Sequence, residues 1–430
     1  MDTSSARVKS AIQRMFFAAE RYREHELANH AAAGAYGFLL SATPAALLAL
    51  GFMSTVFGTN PRVVAEIGRL VTRFLGPLAS AATQGAPFGH ALSALAAGIG
   101  IVSLVWAARL FAVTVQRGIR TIWATTERNT LARENVMSFI IEAITLVAMV
   151  ALIAAGEGAR LAARAVRGVA GVGTARAIIA AERLAPALAL FAFTGWSYVT
   201  LPAKRPKPGV AWSSAAFCFV VFVMATEAFR LFISAARYEL LYGLLGNLIL
   251  LLVNVFAFFS LYFFFAELVY VQDHFDALLL GRFDRLARRK VAGGAIPRLE
   301  KAIFMEPSHL LRSFGRTLQK GQTLFSAGDR GETTYFVYYG KIGIYIQSSG
   351  DENAIATLGT GQVFGEMAYI LGEARTATAR AEEDSAVLEL PPRIFELYLA
   401  SHPDAARNLI GALSERLRTT DVRIHGTRAP

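Results

Sequence analysis

The chain has 430 residues, 54% hydrophobic and 17% charged, with a formal net charge of +11 and a mean hydropathy of +0.42. Soluble domains carry roughly 25% charged residues, so a single water-soluble core is excluded. Residues 1–290 hold 28 Lys and Arg against 16 Asp and Glu, whereas the remaining 140 hold 15 against 16. The basic half is also the apolar half. That excludes a nucleic-acid footprint on a polar face as the source of the charge and suits a membrane protein with basic loops. The single cysteine, Cys218, excludes an intrachain disulfide and a thiolate metal cluster.

In chain order, residues 1–30 are polar and amphipathic, with charges through Glu26. They read as a cytoplasmic N-terminal helix rather than a cleavable signal peptide. A membrane domain follows over 31–272. Spanning a bilayer takes about 20 apolar residues, and six stretches qualify: 31–57, 91–115, 136–156, 184–202, 211–235 and 244–271. Between the first two, Arg62, Glu66, Arg69 and Arg73 recur at helical spacing with Val63, Ile67, Leu70 and Phe74 among them, the pattern of a helix lying on the outer surface.

The short loops orient the bundle. Arg117, Arg120, Arg128 and Arg133 follow the second stretch, Lys204, Arg205 and Lys207 the fourth, and Arg282, Arg285, Arg288, Arg289 and Lys290 the sixth. Positive charge marks the cytoplasmic side, so both termini are expected there. The segment with Arg160, Arg164, Arg167, Arg176 and Arg183 is equally basic yet external in this count, and reads as an amphipathic helix pair.

An ionisable group inside a span costs about 2.5–3.5 kcal/mol on insertion scales. Glu142, Glu227, Arg230 and Glu267 are therefore expected to face protein or water, with Glu227 and Arg230 paired at i and i+3. Asn247 and Asn254 share one face of the sixth stretch, and Glu267 follows. These three are candidates for a polar path between helices. Interhelical hydrogen bonding is the plainer role for the asparagines.

Three segments carry a resemblance: AAAGAYGFLLSATPAALLAL (31–50), YVTLPAKRPKPGVAW (198–212) and FRLFISAARYELLYGLLGNLILLLVNVFAFFSLYFFFAEL (229–268). Tyr36, Ser41, Pro44, Pro202, Tyr242, Gly243, Ala266 and Glu267 stand where the YihY / virulence factor BrkB family has its recurring residues. Phe265 departs from the Gly that the family often carries there. The resemblance covers about 270 residues and implies a multi-pass protein of a bacterial-type inner membrane, concerned with transport or lipid handling.

After Lys290 the long apolar runs stop. Residues 273–316 read as a helical linker, with a short helix or two over 299–314, and 317–424 as a separate domain. Gly321, Gly328, Gly331, Gly340, Gly350, Gly359, Gly361 and Gly365 break short alternating stretches. TYFVYYGKIGIYIQ (334–347) reads as two strands with a Gly turn and AVLELPP (386–392) as another, which suggests an antiparallel β-roll. Residues 393–424 read as a helix with Leu409, Ile410, Leu413 and Leu417 on one face. The fold class is thus a six-helix polytopic membrane domain plus an α+β jelly-roll domain.

The informative stretch is FGEMAYILGEARTATA (364–379). A Gly-Glu opening a short helix exposes backbone N–H groups to a phosphate. Arg375, nine residues after Glu366, can pair with that phosphate bidentately, and a carboxylate at the same turn can accept from a ribose hydroxyl. With the entry KGQTLFSAGDRGETTYFVYYGKI (320–342), the stretch resembles the cyclic nucleotide-binding domain over about 120 residues. The resemblance implies that Glu366 holds the ribose 2′-OH and Arg375 the cyclic phosphate. Phe364, Gly365, Met367 and Ala368 would surround them, followed by Thr376 and Ala377. Thr376 does not choose between cAMP and cGMP.

The expected function is a BrkB-type transporter or lipid-handling protein regulated by cyclic nucleotide, with lipid, nucleotide and a second copy of the chain as partners. A membrane-anchored sensor acting through a partner is the alternative. A nucleotide-gated channel fits less well, because the T-x-G-Y-G filter is absent. No catalytic constellation and no His/Asp/Glu cluster at metal-ligand spacing is evident, so neither an enzyme nor a metal site is expected.

Overall fold

The computed structural model describes residues 3–40, 113–123, 190–235, 239–291, 297–304, 308–348 and 351–407, with a few single positions besides. The stretches expected at 136–156 and, up to residue 112, at 91–115 lie outside these residues, apart from single positions. So do 41–57 of the first stretch, the surface helix in 59–90, the helix pair around Arg160–Arg183, Glu142, Leu413 and Leu417. The chain divides into two compact units, one of residues 17–273 and one of residues 1–16 with 274–430. Helix α1 (Thr3–Glu24) contributes to both.

In the first unit the chain turns at His25 and Glu26, where Glu26 takes φ 50, and is helical again over 27–40. It is also helical over 113–122 and 190–200. α2 (Pro208–Ala235) and α3 (Glu239–Asp273) cover the fifth and sixth expected stretches. Proline suits the first position of α2, where its missing N–H has no helical partner to lose. Within these helices Pro208–Phe229 and Leu251–Asp273 are long and apolar enough to cross a bilayer. Phe217, Val220 and Met224 are exposed along α2, and Ile249, Leu251 and Val253 along α3, as lipid-facing positions would be.

Small residues let these helices approach closely. A Cβ on Gly118 would lie 2.3 Å from the Phe263 ring, and one on Gly195 2.3 Å from the Trp212 ring. Buried polar groups are met internally: Tyr198 donates to the Tyr262 carbonyl at 2.6 Å, and Tyr262 donates to Ser197 at 2.9 Å. Such bonds replace the water that the apolar surroundings exclude.

In the second unit, α4 (Phe275–Val291), α5 (Arg298–Phe304) and α6 (Ser308–Phe314) occupy the expected linker. Eight strands follow: β1 (Gly315–Leu318), β2 (Thr323–Phe325), β3 (Thr334–Tyr339), β4 (Ile342–Ser348), β5 (Asp351–Leu358), β6 (Val363–Phe364), β7 (Thr378–Ala381) and β8 (Ser385–Leu390). They form two antiparallel sheets, ordered β1-β8-β3-β6 and β2-β7-β4-β5. The expected pair β3–β4 exists, but Gly340 (φ 87) turns the chain from one sheet into the other rather than closing a hairpin. The core between the sheets holds Leu318, Val337, Ile342, Leu358, Phe364, Ala379 and Val387.

Helix α7 (Glu366–Leu371) interrupts the roll, and α8 (Pro392–Ser401) closes it. The helix expected over 393–424 breaks at His402 (φ −134), because the following Pro403 pushes that residue out of helical geometry. Within this unit α8 packs on α4. Tyr398 donates to Asp284 at 2.9 Å, Arg288 donates to the other Asp284 oxygen at 2.7 Å, and Arg288 also reaches the Gly361 carbonyl at 3.1 Å. Burial pushes the Asp284 carboxyl above the usual carboxylate range, opposed by Arg288 and the Tyr398 bond.

Candidate functional site

The loop between β6 and β7 brings the expected nucleotide residues together. β6 ends at Phe364, and Gly365 follows at φ 74, a left-handed conformation that glycine adopts without penalty. A Cβ there would lie 2.9 Å from Arg375 Nη1 and 3.1 Å from the Tyr335 ring. Glycine is thus required twice, by its dihedral and by its neighbours. α7 then begins with Glu366, 1% exposed, and ends at Gly372, whose N–H bonds to the Ala368 carbonyl in a left-handed cap. A six-residue helix has little macrodipole, so the charge for an anion must come from Arg375.

Arg375 is only 6% exposed. Its Nη1 donates to the Gly365 carbonyl at 2.5 Å and its Nη2 to the Thr333 carbonyl at 2.6 Å. The guanidinium lies 4.5 Å from the Phe325 ring centroid and 5.5 Å from that of Tyr335. Backbone bonds pin the residue: its N–H meets the Asp329 carbonyl, and its own carbonyl accepts from Gly328. Among the described residues no carboxylate pairs with it. A buried cation held by neutral carbonyls and a ring face is stabilised but not neutralised, so an anion is the partner that its chemistry favours. Burial pushes the Tyr335 phenol up, and the Arg375 charge opposes that shift.

The other expected residues divide. Phe364 is 1% exposed and stacks on Tyr335 and Phe325 at 5.4 and 6.2 Å, so its side chain is core. Ala368 and Ala377 are buried, Met367 is half-buried and Thr376 is exposed beside Arg375. Thr333, Phe325 and Tyr335 were not among the sequence candidates. Phe325 and Tyr335 lie in the entry segment 320–342, but alternation alone marks them as core, and Thr333 acts through its carbonyl, which no side-chain pattern reveals. The fit to a cyclic nucleotide is good: a buried guanidinium, a glycine turn against it and Glu366 at the same turn.

In the other unit, Glu267 is 0% exposed. Arg21 Nε meets one of its oxygens at 3.1 Å and His25 Nδ1 the other at 2.5 Å. Arg21 also donates to the Ile122 carbonyl at 3.3 Å and lies over the Tyr270 ring at 4.2 Å. Asn254 accepts from Thr226 at 3.3 Å, a bond between α3 and α2. Asn247 lies in α3, and its side chain is outside the described residues. Among the described residues no group of three or more His, Cys, Asp and Glu is placed to hold a metal ion.

Comparison with known proteins places these two units. The family model for virulence factor BrkB matches residues 18–281, more than half of the chain, and that for the cyclic nucleotide-binding domain matches 315–402. The chain belongs to the virulence factor BrkB family and carries a C-terminal cyclic nucleotide-binding domain. It is 34% identical over 110 residues to the cyclic AMP receptor protein of Thermus thermophilus, covering 25% of this chain and 51% of that one. It is 31% identical over 115 residues to the cyclic nucleotide-gated potassium channel mll3241 of Mesorhizobium japonicum, covering 26% and 30%. The crystal structure of Thermus thermophilus catabolite activator protein matches at 32% identity and TM-score 0.25, covering 28% of this chain and 59% of that one. The chain thus spans about half the length of the first relative and less than a third of the channel.

Proposed function

We propose that this protein is a transporter or lipid-handling protein whose membrane unit is regulated by cAMP or cGMP bound at Gly365, Glu366 and Arg375. In this reading six spans cross an inner membrane, both termini are cytoplasmic, and the protein is a binding and transport protein rather than an enzyme. The nucleotide enters with its cyclic phosphate on Arg375 and its ribose 2′-OH on Glu366. The observation that carries the reading is the buried Arg375 guanidinium, which donates to two neutral carbonyls beside a glycine turn. The printed names of two relatives, a cyclic AMP receptor and a nucleotide-gated channel, support a cyclic nucleotide as the ligand.

Regulation needs the ligand to favour one conformation over another. Arg375 and α8 belong to the same domain, and Tyr398 on α8 is bonded to Asp284 on α4. A nucleotide-dependent shift of α8 would therefore act first on α4. The test is calorimetry of the full chain in nanodiscs with cAMP and cGMP, followed by a lipid-movement or solute-flux assay with and without nucleotide. Binding that is absent, or that Arg375→Ala leaves unchanged, sinks the assignment.

A second reading is a membrane-anchored sensor that acts through a partner. It is favoured by the Glu267 cluster, where Arg21 and His25 take both carboxylate oxygens and a polar path loses its acid. Nucleotide binding with no nucleotide response in any flux or lipid assay would favour it.

A further inference from the structure

Helix α1 presents an apolar ridge. Val8, Ile12 and Met15 are 57%, 50% and 46% exposed. Spaced four and three apart, they stand within about 60° of one another around the helix. The faces on either side of the ridge are taken up inside the unit. Gln13, 2% exposed, donates to the Ile303 carbonyl at 2.8 Å, Phe16 packs edge-on against Phe304 at 5.4 Å, and Arg14 lies over Phe275 at 4.6 Å. These contacts fix the rotation of the helix and leave the ridge outward.

The charge beside the ridge has one sign. No acidic residue occurs from Thr3 to Ala19, while Arg7 and Lys9 flank Val8, and Arg7 is exposed. Apolar side chains flanked by cations, on a stretch of helix that carries no acidic residue of its own, complement an anionic lipid surface. The apolar groups enter the acyl boundary while the cationic heads stay among the phosphates. A bilayer is also close along the chain, because the match to the membrane family begins at residue 18.

We propose that the Val8–Ile12–Met15 face of α1 docks on the anionic headgroup surface of the membrane. The unit that holds the nucleotide domain is then tethered to lipid at its own N-terminal helix, independently of any nucleotide.

The test uses the full chain in nanodiscs, with single cysteines at Val8, Ile12, Met15 and, as the control on another face, Ser10, each carrying a nitroxide. Cys218→Ala provides the background. If that variant folds poorly, Cys218 is retained, since at 1% exposure it labels slowly. In nanodiscs containing phosphatidylglycerol, the ratio of oxygen to nickel-chelate accessibility should be several-fold higher at the three ridge positions than at Ser10. It should fall when phosphatidylglycerol is replaced by phosphatidylcholine. Nickel-accessible ridge positions mean water, and exclusion of both reagents means a protein cover; either overturns the proposal. A ratio indifferent to lipid charge overturns the anionic assignment.

Discussion

Two buried charges, one in each unit, are handled in opposite ways. Glu267 is closed: a guanidinium and an imidazole take its two oxygens, and the group is complete without a ligand. Arg375 is open: its hydrogen bonds go to neutral carbonyls, and among the described residues no carboxylate is paired with it. A paired buried ion serves the packing around it, whereas an unpaired one is a seat for something that arrives. The contrast makes Arg375 the stronger functional candidate, although both residues are buried and both lie in segments that the family matches cover.

Removing each charge breaks the comparison most directly. Arg375→Ala should weaken nucleotide binding by about 3–5 kcal/mol, roughly 150- to 4,000-fold in Kd, and should lower the thermal midpoint of the ligand-free protein less than the loss of Glu267 does, because its bonds go to neutral carbonyls. Calorimetry and a melt on the same preparation check both halves. Glu267→Ala should do the reverse. It strands Arg21 in a half-buried site, so the membrane unit should lose about 3–5 kcal/mol of stability with nucleotide affinity intact. A Glu267→Ala protein that melts like the parent would show that the cluster is not closed after all.

How much of this was legible in the sequence differs between the same two regions. The β-roll announced itself locally, through alternation in 334–347 and glycines at its turns, because strand periodicity and left-handed turns are written in adjacent residues. The apolar runs of α2 and α3 were equally plain. The partners of Glu267 were not. Arg21 and His25 lie 246 and 242 residues away, within the stretch RYREHE that by itself reads as a solvated helix face. The extent of the second unit was hidden for the same reason: Gln13 bonds to Ile303 across 290 residues. Neither pattern nor composition encodes contacts at such range, and the sheet change at Gly340 is equally invisible to a reading of neighbouring strands.

A smaller effect sharpens the link between ligand and helices. Tyr398→Phe removes the hydrogen bond to Asp284 while keeping the ring, and a bond to a charged acceptor contributes about 1.5–3 kcal/mol. The melt of the full chain should fall accordingly. If α8 transmits the nucleotide signal through α4, the variant should bind nucleotide as before but lose part of any nucleotide-dependent output. A variant with full stability loss and unaltered output would leave α8 a packing element only.

The smallest effect concerns the sign of a pH dependence. Asp284 is 5% exposed, and burial raises its carboxyl above the unfolded value more than Arg288 and Tyr398 lower it. A raised carboxyl means that the folded chain holds this proton more tightly than the unfolded chain does. Its contribution to stability is therefore complete below the ordinary aspartate range and is lost as pH rises through the folded value. Asp284→Asn deletes that titration while retaining a side-chain oxygen for Tyr398. Melts of parent and variant between about pH 4 and 7 should show the parent losing stability relative to the variant as pH rises. The opposite slope would mean that the Arg288 pair outweighs burial, and would make this third buried charge a closed one like Glu267.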